Sequence, residues 1–376
     1  MDAGSRIAAL LAALVLTATP PALAVEIVRG PIIQSPAPGH LLVAWETDVP
    51  ASGLVAFGEE GVLDRYAEAS AASTRHEIRL EGLGAGVNAS YRVFSGTAHS
   101  RLHAFKVPPP AGDPVEFLVF GDNRSTHVSH RDVVESMLPR VSHALINTGD
   151  MVNRGDLIQD WDMFFAVERP LLASTVSYHV VGNHDRIGGG MKFFERFFIQ
   201  PASPHAAERD FAVDMGCVRF VLLDYSVTAK HATTQKAWLA SVLAQGRSLA
   251  HISHLIVAIH HGLHSNGPHG PNAALLKAGL DDVMRDHSVS LVMAGHDHGY
   301  ERGIVDGLRY MVIAGGGAPV YKKTVERGHA LVKTAVHHHV HFKATASELR
   351  FDVVLKDGSV LESCSLAPSP QGYACQ

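Results

Sequence analysis

The chain has 376 residues, too many for one ordinary domain and enough for two that each bury a core. Its 46% hydrophobic and 18% charged residues exclude a disordered chain, and its formal charge of −5 lacks the basic excess that nucleic-acid binding requires. Its 25 histidines favour a metal site, because imidazole is the commonest metal ligand in proteins.

Residues 1–24 have the pattern of a signal peptide. An apolar run at 7–18 is preceded by Arg6 and followed by ALA, a small-x-small cleavage sequence. The run is too short to span a bilayer comfortably, so we expect cleavage before Val25 and a secreted or periplasmic protein. An uncleaved membrane anchor is the alternative.

Residues 25–107 are predicted to form a small β domain. Short β-type runs are separated there by clusters of glycine, proline, asparagine and serine, at the spacing of an antiparallel sandwich. The proline-rich stretch at 107–114 predicts a stiff linker. Beyond it, strand and helix patterns alternate, which predicts a layered α/β domain over 114–366 and a C-terminal tail at 367–376.

Helical periodicity predicts helices at 130–141, 157–168, 191–198, 234–245 and 273–287. From 336 onward, strand-like runs predict antiparallel strands that close the fold. The first of these runs is rich in histidine, and we interpret it as a solvated or edge face, with a metal site as the alternative: His337, His338, His339 and His341.

The cysteines are unequally spaced. Cys364 and Cys375 are near enough in sequence to form a short C-terminal disulfide in an oxidising compartment. Cys217 lies in an apolar run, which predicts a buried free thiol.

Side chains that bind metals or transfer protons stand at the ends of five apolar runs. The segments after these runs are GDNR (121–124), GDMVNRG (149–155), GNHD (182–185), HHG (260–262) and GHDHGYER (295–302). Loops at the carboxyl ends of strands lie together in an open α/β fold, so these segments predict one site. Its candidate residues are Asp122, Asp150, Asn183, His184, His260, His296 and His298.

These residue types suit the hydrolysis of a phosphate ester. That reaction needs a nucleophile at neutral pH and neutralisation of charge on the attacking and leaving oxygens, and two metal ions roughly 3.5 to 4 Å apart supply both. Only a carboxylate has two oxygens to share between two ions, and Asp150 is the best candidate. Imidazole and carboxylate together favour Fe, Mn or Zn, and the carboxamide of Asn183 suits a weak, neutral ligand.

The ordered motifs GD, GDxVxxG, GNHD, a strand ending in histidine, and GHxHxYER resemble the calcineurin-like metallophosphoesterase superfamily. The closing GHDHGYER and the N-terminal sandwich are similar to its purple acid phosphatase branch. The resemblance covers the sandwich and about 115–320, and 336–366 is similar to the C-terminal strands of that branch. It implies a four-layer α/β/β/α metallophosphoesterase sandwich preceded by a small, all-β fibronectin type III-like domain.

Carried over position by position, the resemblance implies two metal-binding sets that share one carboxylate. Asp122 and His298 would bind one metal, and Asp150 would bridge. The ligands of the other metal would be Asn183, His260 and His296. Since a histidine that ends a strand is often structural, His261 is the alternative to His260 as ligand.

The resemblance also implies residues that act on the substrate. His184 would donate a hydrogen bond to the phosphate or a proton to the leaving group, with Asp185 orienting it. His261 is a further candidate for contact with the substrate. Two other groups are expected to have no such role. Tyr300, Glu301 and Arg302 should brace their loop. His264 and His269 should be mobile loop residues, with a position at the mouth of the cleft as the alternative.

Two positions depart from the resemblance. Arg124 stands where the superfamily usually has histidine, and arginine has no lone pair with which to ligate a metal. Asn153 stands where the purple branch has a tyrosine, so its iron–phenolate colour is not expected. The first metal position therefore keeps only Asp122, Asp150 and His298 among the motif ligands.

The role of Arg124 has three open interpretations. In the first, a replacement ligand from Asn153, His127 or His130, or a water molecule, occupies the coordination position that the missing histidine would fill. Alternatively, Arg124 clamps a substrate phosphate bidentately, or it pairs with Asp122 or Asp156 in a degenerate site. We favour an occupied but weakened first site with Arg124 facing the substrate, hence two divalent or trivalent ions (Fe, Mn or Zn).

These inferences predict an exported, metal-dependent phosphoesterase that hydrolyses phosphate monoesters by means of a metal-bridging hydroxide. The expected partner is a small phosphorylated substrate, with no nucleic acid and no membrane span after removal of the signal peptide. The sequence leaves the oligomeric state open. The alternatives are a phosphodiesterase or nucleotide hydrolase of the same fold, and a secreted binding protein with a degenerate site.

Overall fold

The computed structural model describes residues 24–37, 39–140, 142–202, 209–226, 229–366 and 372–375. Apart from its last residue, the predicted signal peptide lies outside the described residues, as does most of the predicted tail. No helix in the described part of the chain is long and apolar enough to cross a membrane.

The N-terminal part is a β sandwich of two antiparallel sheets. One sheet has the order β1–β2–β5, and the other has the order β4–β3–β6, with β7 and β8 both paired to β6. Trp45, Tyr91 and Phe105 fill the core and are at most 2% exposed. The strands are β1 (Ile27–Ala37), β2 (His40–Ala51), β3 (Leu54–Glu59), β4 (Arg65–Glu68), β5 (Ser73–Leu80), β6 (Asn88–Ser95), β7 (Ala98–His99) and β8 (His103–Lys106).

The sandwich packs against the rest of the chain through buried hydrogen bonds. The Tyr91 hydroxyl donates to the Ala173 carbonyl at 2.9 Å, and Gln34 Nε2 donates to the Phe197 carbonyl at 2.9 Å. The linker at 107–114 is also held, because its backbone bonds to the turn that precedes a strand of the next domain. The sandwich is therefore docked on the α/β part and not only tethered to it.

The α/β part contains two seven-stranded sheets. The first has the order β11–β10–β9–β19–β20–β21–β22, and the second has the order β12–β13–β14–β15–β17–β16–β18. The first sheet comprises β9 (Val115–Phe120), β10 (Ala144–Asn147), β11 (Val176–His179), β19 (His338–Ala344), β20 (Leu349–Leu355), β21 (Val360–Leu366) and β22 (Ala374–Cys375). The second comprises β12 (Phe211–Met215), β13 (Val218–Leu223), β14 (His254–Ile259), β15 (Leu291–Ala294), β16 (Tyr300–Val305), β17 (Leu308–Ile313) and β18 (Ala330–Thr334).

The two sheets face each other, and helices cover their outer faces. Side chains alternate along each strand, so Phe117 and Val119 of β9 pack toward the second sheet, whereas Leu118 and Phe120 pack against helices. Such α/β/β/α layering buries both faces of each sheet. The first sheet is covered by α1 (His127–Met137), α2 (Ile158–Leu172) and α3 (Met191–Phe197), and the second by α4 (Ala229–Ser248), α5 (Ala273–Lys277) and α6 (Leu280–Asp286).

The predicted helix at 273–287 is wrong as a single element. It is two helices, α5 and α6, separated by Gly279, whose φ of 72° lies in the left-handed region and interrupts the helical hydrogen bonds. The other four predicted helices exist with shifted ends.

The histidine-rich strand is not solvated, and it is not an edge. β19 lies between β9 and β20, where helices cover one face and the second sheet covers the other. His338 and His339 are fully buried and His341 is 7% exposed. Because consecutive residues of a strand point to opposite faces, these rings are divided between two layers instead of forming one cluster.

The predicted cysteine chemistry agrees with the structure. Cys364 and Cys375 form a disulfide that joins β21 to β22, and Cys217 is a buried free thiol.

The buried histidines predict a loss of stability in acid. Burial lowers the pKa of His338 to about 4 and that of His179 to about 3. Below about pH 6.5 the unfolded chain therefore binds protons that the folded chain does not bind, and the free energy of unfolding falls by up to about 1.4 kcal/mol per pH unit for each such histidine.

We expect urea unfolding of His338→Gln to show a shallower decrease in stability between pH 6.5 and pH 4 than the wild type, because one of these protonation sites is removed. The matched control is His40→Gln, at an exposed position, which should keep the wild-type slope. Identical pH slopes for His338→Gln and the wild type would contradict the prediction.

Candidate metal centre

The motif residues meet where parallel strands of both sheets end. β9, β10 and β11 run parallel in the first sheet, and β14 and β15 run parallel in the second. The loops that follow these strands converge on one edge of the molecule. They carry Asp122, Asp150, Asn183, His184, His260, His296 and His298.

The backbone is strained at three of these positions. Asp122 has a φ of 57°, Asp150 of 56° and His296 of 72°, all in the left-handed region that non-glycine residues rarely adopt. A glycine precedes each of them, and there is no room for a side chain there. A Cβ on Gly149 would lie 2.7 Å from His260 Nδ1, and one on Gly295 would lie 2.7 Å from Asp122 Oδ2. The Gly-Asp and Gly-His pairs are thus required by close approach of the loops.

Asp122, Asp150 and His298 form the first donor set, with ligand atoms within 4.8 Å of one another. Asp122 Oδ1 is buried, lies 3.4 Å from His298 Nε2, and has no hydrogen-bond partner among the described residues. His298 Nδ1 donates to the Pro319 carbonyl at 2.8 Å, which leaves the Nε2 lone pair pointing into the set. By residue type, an unpartnered buried carboxylate oxygen and an imidazole nitrogen are ligands of the kind that bind metal ions.

The second donor set surrounds His260. Its Nε2 lies 3.0 Å from Asn183 Oδ1 and 3.3 Å from Asp150 Oδ1, and its Nδ1 donates to the Thr148 carbonyl at 2.8 Å. The His296 ring lies 5.1 Å from the His260 ring. Burial, and then the neighbouring imidazoles, lower the pKa of His296, which keeps it neutral and able to ligate. Two oxygens and an imidazole nitrogen, donors that suit a metal, are thus brought together by Asp150, Asn183 and His260, and the His296 ring lies beside them. Of the two neighbouring histidines, His260 is the one that contacts Asn183 and Asp150.

Asp150 is shared by the two sets. Its Oδ1 accepts from the His184 backbone N–H at 2.8 Å and faces the second set, and its Oδ2 accepts from Arg124 Nε at 3.1 Å on the side of the first. The side chain is 1% exposed, so a carboxylate with two differently placed oxygens is buried at the centre of the site.

Arg124 lies among the ligands of the first set. In addition to its bond to Asp150, its Nη2 is 3.2 Å from His298 Nε2, and the side chain is only 14% exposed. The structure gives it no hydrogen bond to Asp122, and Asp156 pairs with Arg154 instead. The pairing partners proposed for a degenerate site are therefore wrong.

Two proposed replacement ligands are engaged elsewhere. His130 Nε2 bonds to the buried carboxylate of Glu168 at 2.6 Å, and Asn153 Oδ1 accepts from the Ser125 hydroxyl at 3.3 Å. His130 of α1 is therefore used in a contact with Glu168 of α2.

Asp185 does not orient the His184 ring, contrary to expectation. Its carboxylate accepts hydrogen bonds from the backbone N–H groups of 150–152 and of Gly182, and so ties two loops together. The ring of His184 is held by the carbonyl of Asn153, 2.7 Å from His184 Nδ1. Because the carbonyl can only accept, Nδ1 carries the proton and Nε2 remains free.

The loop at 262–272 is braced, which corrects the expectation of mobile histidines. Asp297 accepts from Ser265 at 2.5 Å and from the His269 N–H at 3.0 Å. His264 is 8% exposed, and the His269 ring lies 4.4 Å from the His296 ring. As predicted, the YER residues hold this region together: Tyr300 and Arg302 bond to Glu362, and Glu301 bonds to the Asn266 N–H, Tyr310 and Lys333.

Tyr321 was missed by the motif analysis. Its ring stacks on His298 with centroids 4.2 Å apart, and its hydroxyl lies 3.4 Å from His269 Nε2. It follows an irregular segment with no periodic pattern, so the sequence offers no signal for it. His261 is also fixed beside the site, because its Nε2 lies 3.1 Å from the Gly270 carbonyl and its ring 4.3 Å from His296.

A cavity of about 380 Å³ opens beside the first donor set. Arg124, His127, Asn153, Asp160 and Phe164 are among the residues that line it. It provides a space next to the site that is partly polar and partly aromatic.

Comparisons with known proteins agree with these motifs. The family model for the calcineurin-like phosphoesterases matches residues 115–300. Purple acid phosphatase 23 of Arabidopsis thaliana is 26% identical over 150 residues, which is 38% of this chain and 32% of that protein. The match therefore spans about a third of that relative's length.

Solved structures share the fold at low identity. A purple acid phosphatase, PPD1, from yellow lupin (Lupinus luteus) seeds has a TM-score of 0.77 and 17% identity, covering 90% of this chain and 74% of that one. PhoD has a TM-score of 0.74 and 11% identity, covering 95% of this chain and 93% of that one. GAP50, the anchor in the inner membrane complex of Plasmodium, has a TM-score of 0.56 and 14% identity, covering 68% and 89%.

At such low sequence identities, these structural similarities show only that the fold is shared. The ordered motifs and the matched family model go further: residues 115–300 are a calcineurin-like phosphoesterase domain, and the chain has relatives among the purple acid phosphatases.

Proposed function

We propose that this protein is a metal-dependent phosphoesterase that hydrolyses phosphate monoesters. The observation that carries the proposal is the sharing of buried Asp150 between two donor sets, one with Asn183 and His260 and the other with His298. Buried, strained and unpartnered polar groups are costly, and they concentrate where a reaction needs them.

The metal would be held by the second set, which consists of Asp150, Asn183, His260 and His296. Asp122 and His298, from the first set, are further candidate ligands. When bound, such an ion supplies an activated water and neutralises charge on the phosphoryl oxygens. The carbonyls of Thr148 and Pro319 fix the tautomers of His260 and His298, so that each ring presents its Nε2 to the site.

Arg124 and His184 would act on the substrate. The Arg124 guanidinium carries a permanent charge and presents several N–H donors, which match the geometry of a phosphoryl group. His184 would act as an imidazolium: its Nδ1 proton is engaged by the Asn153 carbonyl, and the second proton, on Nε2, would pass to the departing oxygen and leave the ring neutral. His261 is a third candidate for contact with the substrate.

The cavity beside Arg124 favours a small substrate. Its volume of about 380 Å³ is at the lower end of the range typical for small-molecule sites. A monoester with a compact leaving group would place that group against Phe164 and the phosphate at Arg124. A phosphodiesterase or nucleotide hydrolase is the alternative, because the donor sets alone do not select the ester.

We also propose that the protein is exported and that its N-terminal sandwich, over 25–107, is of the fibronectin type III kind, with the α/β domain at 114–366. The Cys364–Cys375 disulfide supports export, because disulfides persist in oxidising compartments. The division of the sandwich strands between a three-stranded sheet and a larger one supports the second assignment.

Asp150→Asn tests the central carboxylate. We expect at least about a 100-fold loss of kcat for an aryl phosphate, since the neutral amide removes the charge that faces both donor sets. Asp132→Asn, at a partly exposed residue paired with Lys356, is the matched control and should retain activity. Steady-state kinetics with circular dichroism as a folding check give the answer, and full activity in folded Asp150→Asn would refute the proposal.

His184→Asn tests proton donation to the leaving group. An alkyl alcohol is a poor leaving group and should lose about 100-fold or more in kcat/KM, whereas p-nitrophenol leaves without a proton and should lose much less. The two substrates are compared in the same variant, so a folding defect would affect both equally. Equal losses for both would contradict the proposed role.

Export predicts a defined N-terminus. Intact-mass measurement of protein from the secreted or periplasmic fraction should give a chain that begins at Val25 and has Cys364 bonded to Cys375. Ala24→Arg, which spoils the small-residue cleavage sequence, should retain the N-terminal segment. Recovery of the full-length chain from the cytoplasm alone would count against export.

A further inference from the structure

The atoms around Arg124 are those that would serve a first metal. Its Nε lies 3.1 Å from Asp150 Oδ2, and its Nη2 lies 3.2 Å from His298 Nε2. These are the carboxylate oxygen that the second donor set does not face and the imidazole nitrogen whose lone pair points into the site. The guanidinium therefore stands between the donors of the first set.

Chemistry makes the guanidinium and a metal ion mutually exclusive at this place. An arginine side chain is always protonated in proteins and has no lone pair to offer. With 14% of the side chain exposed and 1% of Asp150, solvent screens little of the repulsion between two neighbouring cations. His298 Nε2 accepts from Arg124, because its Nδ1 already donates to the Pro319 carbonyl.

The second donor set has no comparable competitor. His260 Nε2 lies 3.0 Å from Asn183 Oδ1 and 3.3 Å from Asp150 Oδ1. In the described part of the chain, no arginine or lysine donates a hydrogen bond to any of these three atoms. The Arg124 side chain donates to Oδ2 of Asp150 and not to Oδ1.

We propose that the protein holds one metal ion, in the set Asp150, Asn183, His260 and His296, and that the Arg124 guanidinium takes the place of the second ion. This inference rests on the proposed function and replaces the expected two-ion site with a mixed one. Arg124 supplies one permanent positive charge to the phosphoryl oxygens and balances Asp150 at the same time. Asp122 then helps to position the loop through its bond to the His296 N–H, 3.0 Å from Asp122 Oδ2.

Metal stoichiometry tests the proposal without reference to activity. Full-length processed protein is loaded with Mn, Zn or Fe in turn, freed of excess metal, and measured by mass spectrometry of the elements. We expect about one ion per wild-type chain. Arg124→His, which restores a ligand and removes the charge, should hold about two, and Arg124→Lys, which keeps a cation, should stay at about one.

Two further measurements locate the ion and guard against misfolded variants. His260→Ala should lower the wild-type content of about one ion to near zero, because it removes a ligand of the second set. Anomalous scattering from a crystal of the metal-loaded wild type, which requires no variant, should show one peak, at the second set.

The outcomes separate this inference from the proposed function. Two ions per wild-type chain, or two anomalous peaks, together with phosphatase activity would overturn the inference and leave the proposed function standing. Neither bound metal nor hydrolysis of any phosphate ester would overturn both. One ion in Arg124→His, if circular dichroism shows it folded, would also contradict the role given to the guanidinium.

Discussion

The buried carboxylate of Asp150 is the group on which the rest of the site depends. Its Oδ1 accepts a hydrogen bond from the His184 backbone N–H and faces His260, and its Oδ2 accepts one from the Arg124 guanidinium. With the side chain 1% exposed, any displacement of these loops would leave a buried charge without partners, which costs several kcal/mol. A single side chain thus couples the loop after β9, the loop after β11 and the end of β14.

This coupling needs a rigid frame, which the layered fold provides. The strands that carry the site have both faces buried, one against helices and one against the opposite sheet. The left-handed backbone at Asp122, Asp150 and His296 costs about 1 to 3 kcal/mol at each position, so it persists only where the surrounding packing determines it. Gly316 and Gly317 contribute, because they pack directly against the backbone of 121–123 and leave no space for side chains.

Much of the fold and of the site followed from local patterns in the sequence. Apolar runs that end in Gly-Asp, Gly-Asn or Gly-His located the strand ends, because strand ends in such folds carry the functional loops. The errors have physical causes. The histidine-rich strand was predicted to be exposed, although β19 is inserted between β20, the next strand along the chain, and β9, which is distant in sequence. Asp185 was assigned to His184, its neighbour in sequence, although its carboxylate is used by backbone N–H groups of another loop.

The sequence by itself determined which donors are available and their order along the chain, because motif residues and strand periodicity are local properties. It also identified Arg124 as the departure from the family pattern. Only the tertiary structure decided which atoms Arg124 contacts, that Asp150 divides its two oxygens between Arg124 and the His260 side, and that Tyr321 and His269 lie against the ligands. Arg124 is 26 positions from Asp150 and 174 from His298, and the order of strands in the two sheets brings these residues together.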